Sequence, residues 1–138
     1  MPRIVAIDYG TKRVGLAVTD PLKIIATALD TVHSKDVIQF LKDYHEQEGI
    51  ELFVVGMPKR LDGTESHATK HVEAFLNLLK KNFPDTDIET HDERFTSKIA
   101  LNAMIAGGTT KKYRREKGNI DKVSAVVILQ SYLEKMQL

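Results

Sequence analysis

The sequence predicts a mixed α/β fold: one β-sheet with helices on both faces. Three observations carry this reading. Residues 3–33 contain three strand-length runs in succession. From residue 34 onward, helix-like and strand-like segments alternate. Near the end, Ala125-Val126-Val127-Ile128-Leu129 is apolar on every side, the mark of a buried helix.

Each element has its own signal. Arg3 to Asp8 reads as a buried strand through Ile4, Val5, Ala6 and Ile7, and Tyr9-Gly10-Thr11-Lys12 as a turn. Arg13 to Thr19 alternates, with Val14, Leu16 and Val18 on one face, until Asp20-Pro21 breaks it. Ile24 to His33 is expected as a third strand. Ser34 is the expected cap of a helix carrying Val37, Leu41 and Tyr44, which Gly49 ends. Glu51 to Val55 reads as a strand closed by Gly56 and Pro58. Ser66 is expected to cap a helix with Ala68, Val72, Phe75 and Leu79 on one face. Asp87 to Thr90 is a short strand. Thr96 or Ser97 opens a helix stopped by Gly107-Gly108, and Asn119 or Ile120 opens a last helix to about Lys135. The order is β-β-β-α-β-α-β-α-α.

Length and composition narrow the class. The 138 residues fit a single domain, 1–138. An apolar fraction of 42% and a charged fraction of 28% are those of an ordinary globular protein. No apolar run approaches the roughly 20 residues of a membrane span, and the residues before Asp8 are too few for a signal peptide. There is no cysteine, so disulfides and thiolate zinc sites are excluded, and a cytoplasmic location is expected. The formal charge is only +1, but Arg94 to Lys122 holds eight Lys/Arg against two acids, a net +6, which leaves the remainder near −5. Such asymmetry points to an anionic partner.

The candidate chemistry lies in acids at element ends. Asp8 closes the first strand, Asp92 and Glu93 follow the last, and Asp121 falls in the first turn of the final helix. Each alone has an ordinary structural use: a turn acceptor, a surface ion pair with Arg94, a complement to a helix dipole. Brought together, such carboxylates repel, and a hard divalent ion removes that cost. Spacing by itself does not establish that they converge. His67 and His71 are four apart, but no glutamate stands between them, so an exposed polar face is the better reading.

Four segments then resemble one family. Ile7-Asp8-Tyr9-Gly10-Thr11-Lys12-Arg13-Val14-Gly15-Leu16-Ala17 resembles the first motif of the YqgF/RuvX family. Gly56-Met57-Pro58 with Leu61-Asp62-Gly63-Thr64 resembles the second, His91-Asp92-Glu93-Arg94-Phe95-Thr96-Ser97 the third, and Ile120-Asp121-Lys122-Val123-Ser124-Ala125 the fourth. They span residues 7 to 125 in the family's order. The resemblance implies a ribonuclease H-like fold related to the junction resolvase RuvC. It implies catalytic, metal-binding acids Asp8, Glu93 and Asp121, with Mg²⁺ or Mn²⁺ as cofactor. It implies a nuclease processing the 5′ end of precursor 16S ribosomal RNA in ribosome biogenesis, with resolution of branched DNA as the alternative. The chain departs from the RuvC pattern at Val55-Gly56-Met57-Pro58, where RuvC-type enzymes carry an acid; within the family Glu93 is thought to supply it. Position 97 is Ser where relatives often have Thr.

Several cations are candidate substrate contacts. Lys12 sits four residues after Asp8, Lys59 and Arg60 follow a strand end, and Arg94 adjoins Glu93. Lys111, Lys112, Arg114 and Arg115 surround Tyr113, a pattern suited to backbone contact and base stacking on a single strand. Gly10 and Gly15 read as backbone geometry rather than binding, and His91 as structural. The expected partners are nucleic acid and precursor ribosomal particles, with no membrane, and the chain is expected to be a monomer or homodimer. Two rivals stand beside the nuclease: a non-catalytic nucleic-acid-binding factor, and an actin-like ATPase, which needs a second domain.

Overall fold

A computed structural model describes residues 2–57, 67–92 and 117–136; the side chains of residues 67 and 117–122 fall outside it. Its strands are β1 (Arg3–Tyr9), β2 (Arg13–Thr19), β3 (Ala26–His33), β4 (Ile50–Met57) and β5 (Asp87–Asp92). Its helices are α1 (Val37–Glu48), α2 (His67–Asn82) and α3 (Lys117–Met136). The segment read as a helix opening at Thr96 or Ser97 lies outside the described residues.

The strands form one sheet in the order β3-β2-β1-β4-β5. β1, β2 and β3 are an antiparallel meander, and β4 and β5 add parallel to β1. Mixed pairing follows from the connections. Short turns join the first three strands, whereas α1 and α2 provide the crossovers that parallel strands need.

Strand alternation divides the core into two layers. Val5 and Ile7 of β1, Val14, Leu16 and Val18 of β2, and Phe53 and Val55 of β4 pack with Val37 and Leu41 of α1 and Val72, Phe75 and Leu79 of α2. Ile4, Ala6, Ala17 and Val54 face the other way, onto Ala125, Ile128, Leu129, Tyr132 and Leu133 of α3. The predicted helix-covered sheet is therefore what forms. The small residues Ala6 and Ala17 let α3 sit close to the sheet.

Several boundaries differ from expectation. Ser34 does not cap α1; the cap position is Asp36, which makes no side-chain cap bond. The Ser34 hydroxyl instead donates to the Thr11 carbonyl at 2.6 Å. Gly49 ends α1 as predicted, at φ 80°, with its N–H on the His45 carbonyl. Ile24 and Ile25 precede β3 and are exposed. In α2, Ala68 is exposed and Thr69 takes the buried position. β5 runs two residues further than Thr90, to Asp92. β4 extends one residue earlier and two later than predicted and holds Gly56 inside it. α3 begins at Lys117, so Asp121 is in its second turn rather than its first.

Candidate active site

Because β1, β4 and β5 run parallel, their carboxyl ends share one edge of the sheet. Asp8 lies at that edge. The register aligns Ile7 with Val55 and Gly56 with His91, so Asp8, Gly56 and His91 fall level across three strands. The pleat sets their face. Ile4 and Ala6 look toward α3, hence Asp8 does too. The residue opposite Asp8 on β2 is Gly15. Both immediate neighbours of Asp8 across the strands thus present no side chain. Asp92 pairs with Met57, which packs on the opposite face, so the pleat turns Asp92 toward the α1 and α2 side.

The end of β1 is held from several directions. The Tyr9 ring stacks on Phe75 of α2 with centroids 4.4 Å apart. In the turn that follows, a Cβ on Gly10 would meet the Arg13 carbonyl oxygen at 2.6 Å, so only glycine fits. The Ser34 N–H donates to the Lys12 carbonyl at 3.2 Å, and with the Ser34 hydroxyl bond it pins this turn to the corner between β3 and α1. Lys12 is exposed on the pinned turn. His91 is half-buried; burial pushes its imidazole below the ordinary histidine value, the Lys135 charge adds to that, and Asp92 opposes it.

The other candidates are placed less fully. Glu93 follows the last residue of β5 and is outside the described residues. Asp121 is on α3, with its side chain outside them. Lys59, Arg60, Arg94, Lys111, Lys112, Arg114 and Arg115 also lie outside. Among the described residues no three His, Cys, Asp or Glu side chains group to hold a metal. Of the two histidines read as a polar face, His71 is exposed. Three features escaped sequence reasoning: the Ser34 clamp, the glycine pair flanking Asp8, and Thr19. The Thr19 hydroxyl is fully buried and accepts the Ile4 N–H at 3.1 Å.

The family model described as RuvX, Holliday junction resolvase, matches residues 2–135. The chain belongs to the RuvX family. A curated relative from Christiangramia forsetii is 51% identical over 133 residues, covering 96% of this chain and 98% of the relative. One from Bacteroides fragilis is 46% identical over 138 residues, covering all of both. Both carry the name "Putative pre-16S rRNA nuclease". Among solved structures, Thermus thermophilus RuvC in complex with a Holliday junction superposes with a TM-score of 0.60 at 15% identity, covering 99% of this chain and 96% of that one. The fowlpox virus resolvase bound to junction DNA gives 0.51 at 14%, covering 96% and 99%. These likenesses establish the fold of this RuvX chain as ribonuclease H-like.

Proposed function

We propose that this RuvX chain is a single-domain, cytoplasmic, metal-dependent endonuclease that trims the 5′ end of precursor 16S ribosomal RNA. The observation that carries this is full-length similarity, near 50% identity, to relatives named for that activity. The position of Asp8 supports it: the level carboxyl ends of three parallel strands, with no side chain on either flank. In open α/β sheets, ligands bind outside such carboxyl ends.

We assign Asp8, Glu93 and Asp121 as the carboxylate set. Asp121 lies in the second turn of α3, the helix that covers the face of the sheet toward which Asp8 turns. All-oxygen donors suit Mg²⁺ or Mn²⁺. Held by these carboxylates, such an ion would supply activation of water and stabilisation of the leaving oxygen of a phosphodiester. The chain's own residues bind and orient. The Tyr9–Phe75 stack fixes the backbone that carries Asp8. The pinned turn offers the Lys12 ammonium to a phosphate beside it. Lys59, Arg60, Arg94, Lys111, Lys112, Arg114 and Arg115 are assigned to the nucleic-acid backbone, where each neutralised phosphate adds affinity and salt dependence.

The family description favours junction cleavage as a second reading. Asp8→Asn in a metal-titrated cleavage assay tests the common core of both. Loss of at least about tenfold in rate, 1.4 kcal/mol in the barrier, with folding intact is expected. Wild-type cleavage by the variant would defeat the site assignment.

A further inference from the structure

The edge of the sheet away from Asp8 carries a surface that nucleic acid would avoid. The loop between β2 and β3 displays Leu22, Ile24 and Ile25 at 70%, 60% and 61% exposure. They are three of the five large exposed apolar side chains among the described residues. This loop is not slack. The Asp20 carboxylate accepts the N–H groups of Leu22, Ile24 and Ile25 at 3.2, 2.7 and 2.7 Å. Asp20 N–H donates to the Ile25 carbonyl and Lys23 N–H to the Asp20 carbonyl. Lys23 adopts φ 59°, a left-handed conformation uncommon for a non-glycine residue. The apolar side chains are thus presented in a set arrangement, so a partner would lose little loop entropy on binding.

Beside the loop lies a cleft of about 580 Å³. Lys23 borders it and pairs with Glu51 across its rim. Ile4, Leu52 and Tyr132 wall it, and Glu51, Asp87 and Glu89 line it. Three acids against one lysine leave it net negative. The Tyr132 hydroxyl bonds Glu89, which holds that carboxylate in the wall. A ridge of exposed aliphatics against an acidic cleft complements a cationic, amphipathic chain and repels phosphate.

We propose that this edge docks a basic, amphipathic segment of a partner protein. Its aliphatic side chains cover Leu22, Ile24 and Ile25, and its Lys or Arg side chains enter the Glu51–Asp87–Glu89 cleft. The proposal does not depend on the nuclease reading. It places the protein partner at the opposite edge of the sheet from Asp8, so both edges can be engaged at once.

The test uses the full chain and a fluorescently labelled short peptide of alternating Lys and Leu. A Lys–Ser peptide of equal charge, a Glu–Leu peptide and single-stranded RNA serve as comparisons. Fluorescence anisotropy gives affinity, and backbone amide NMR shifts locate the contact. The expected result is selective binding of the Lys–Leu peptide, with shifts confined to residues 20–25, 51–52 and 87–89. Ile24→Ser with Ile25→Ser, and separately Glu51→Gln with Glu89→Gln, should each weaken it by about tenfold, the size of a modest interface hot spot. These residues are exposed, so the fold should survive, and circular dichroism checks that it does. Equal binding of the Lys–Ser peptide, no binding, or shifts at the Asp8 edge would overturn the proposal. So would loss of RNA binding in the Ile24/Ile25 variant, or a wild-type dimer in sedimentation that this variant dissolves.

Discussion

Substituting Gly10 by alanine tests how the β1–β2 turn serves the site. The added methyl would lie 2.6 Å from the Arg13 carbonyl oxygen. An ordinary carbon–oxygen approach is about 3.3–3.6 Å, so the turn must open by roughly 0.7–1.0 Å. The obstacle is backbone, so no side chain can rotate away. Opening pulls on the Ser34 bonds to Thr11 and Lys12, and shifts the end of β1 just beyond Asp8. Overpacking of this kind costs about 1–3 kcal/mol. With a urea slope of about 1–3 kcal/mol per molar, the unfolding midpoint should fall by about 1 M. Activity should fall further than stability does. A displacement near 1 Å at a reacting group can cost about 10²-fold in rate, whereas the fold stays populated well below its midpoint. The assay pairs urea denaturation with initial cleavage rates at equal folded fraction. Thr11→Ala, which removes only an exposed side chain, is the control and should stay within about 0.5 kcal/mol of wild type. A Gly10→Ala variant with wild-type midpoint and rate would refute the reasoning.

Further expectations follow from the same structure. Glu93→Gln and Asp121→Asn should each slow cleavage at least about tenfold with an unchanged thermal midpoint; wild-type rates in both would remove them from the site. Neutralising Lys111, Lys112, Arg114 and Arg115 together should lower the slope of log affinity against log salt on single-stranded RNA by up to about 2.8, at roughly 0.7 per phosphate contact; an unchanged slope would place them away from the strand. Thr19→Val removes the acceptor of the Ile4 N–H and should cost about 1–3 kcal/mol in chemical denaturation. Burial and the bond to Glu89 push the Tyr132 phenol up to about 12 from 10.0. Its contribution to stability is therefore complete below pH 10 and lost as pH rises from 10 toward 12; Tyr132→Phe should flatten that alkaline decline in a pH series of thermal melts.

The parts of the fold visible in the sequence are those fixed by periodicity. Val14, Leu16 and Val18 alternate because one layer buries them all, and the all-round apolar stretch of α3 reports a helix packed on the sheet. Misplaced boundaries arose where a polar side chain served a distant partner. Ser34 has cap chemistry, but the carbonyl of Thr11, far back in the chain, takes its hydroxyl. Ile24 and Ile25 look like strand residues, yet the Asp20 carboxylate holds them in a loop. Asp20-Pro21 signalled a break without showing how far the break extends. The acids of the candidate site were visible only as residues at element ends. Facing is set by register: Asp92 and Asp8 are both at the carboxyl edge, and the pleat turns them to opposite sides. Likewise, the glycines flanking Asp8 become meaningful only once β1 is placed between β2 and β4.

The most direct test of the central claim compares a precursor 16S leader transcript, its DNA equivalent and a synthetic four-way junction, each with purified chain and with and without Mg²⁺ or Mn²⁺. The account predicts metal-dependent cutting of the transcript at a defined 5′ position, lost in Asp8→Asn. Symmetric cutting of the junction with the transcript left intact would contradict it.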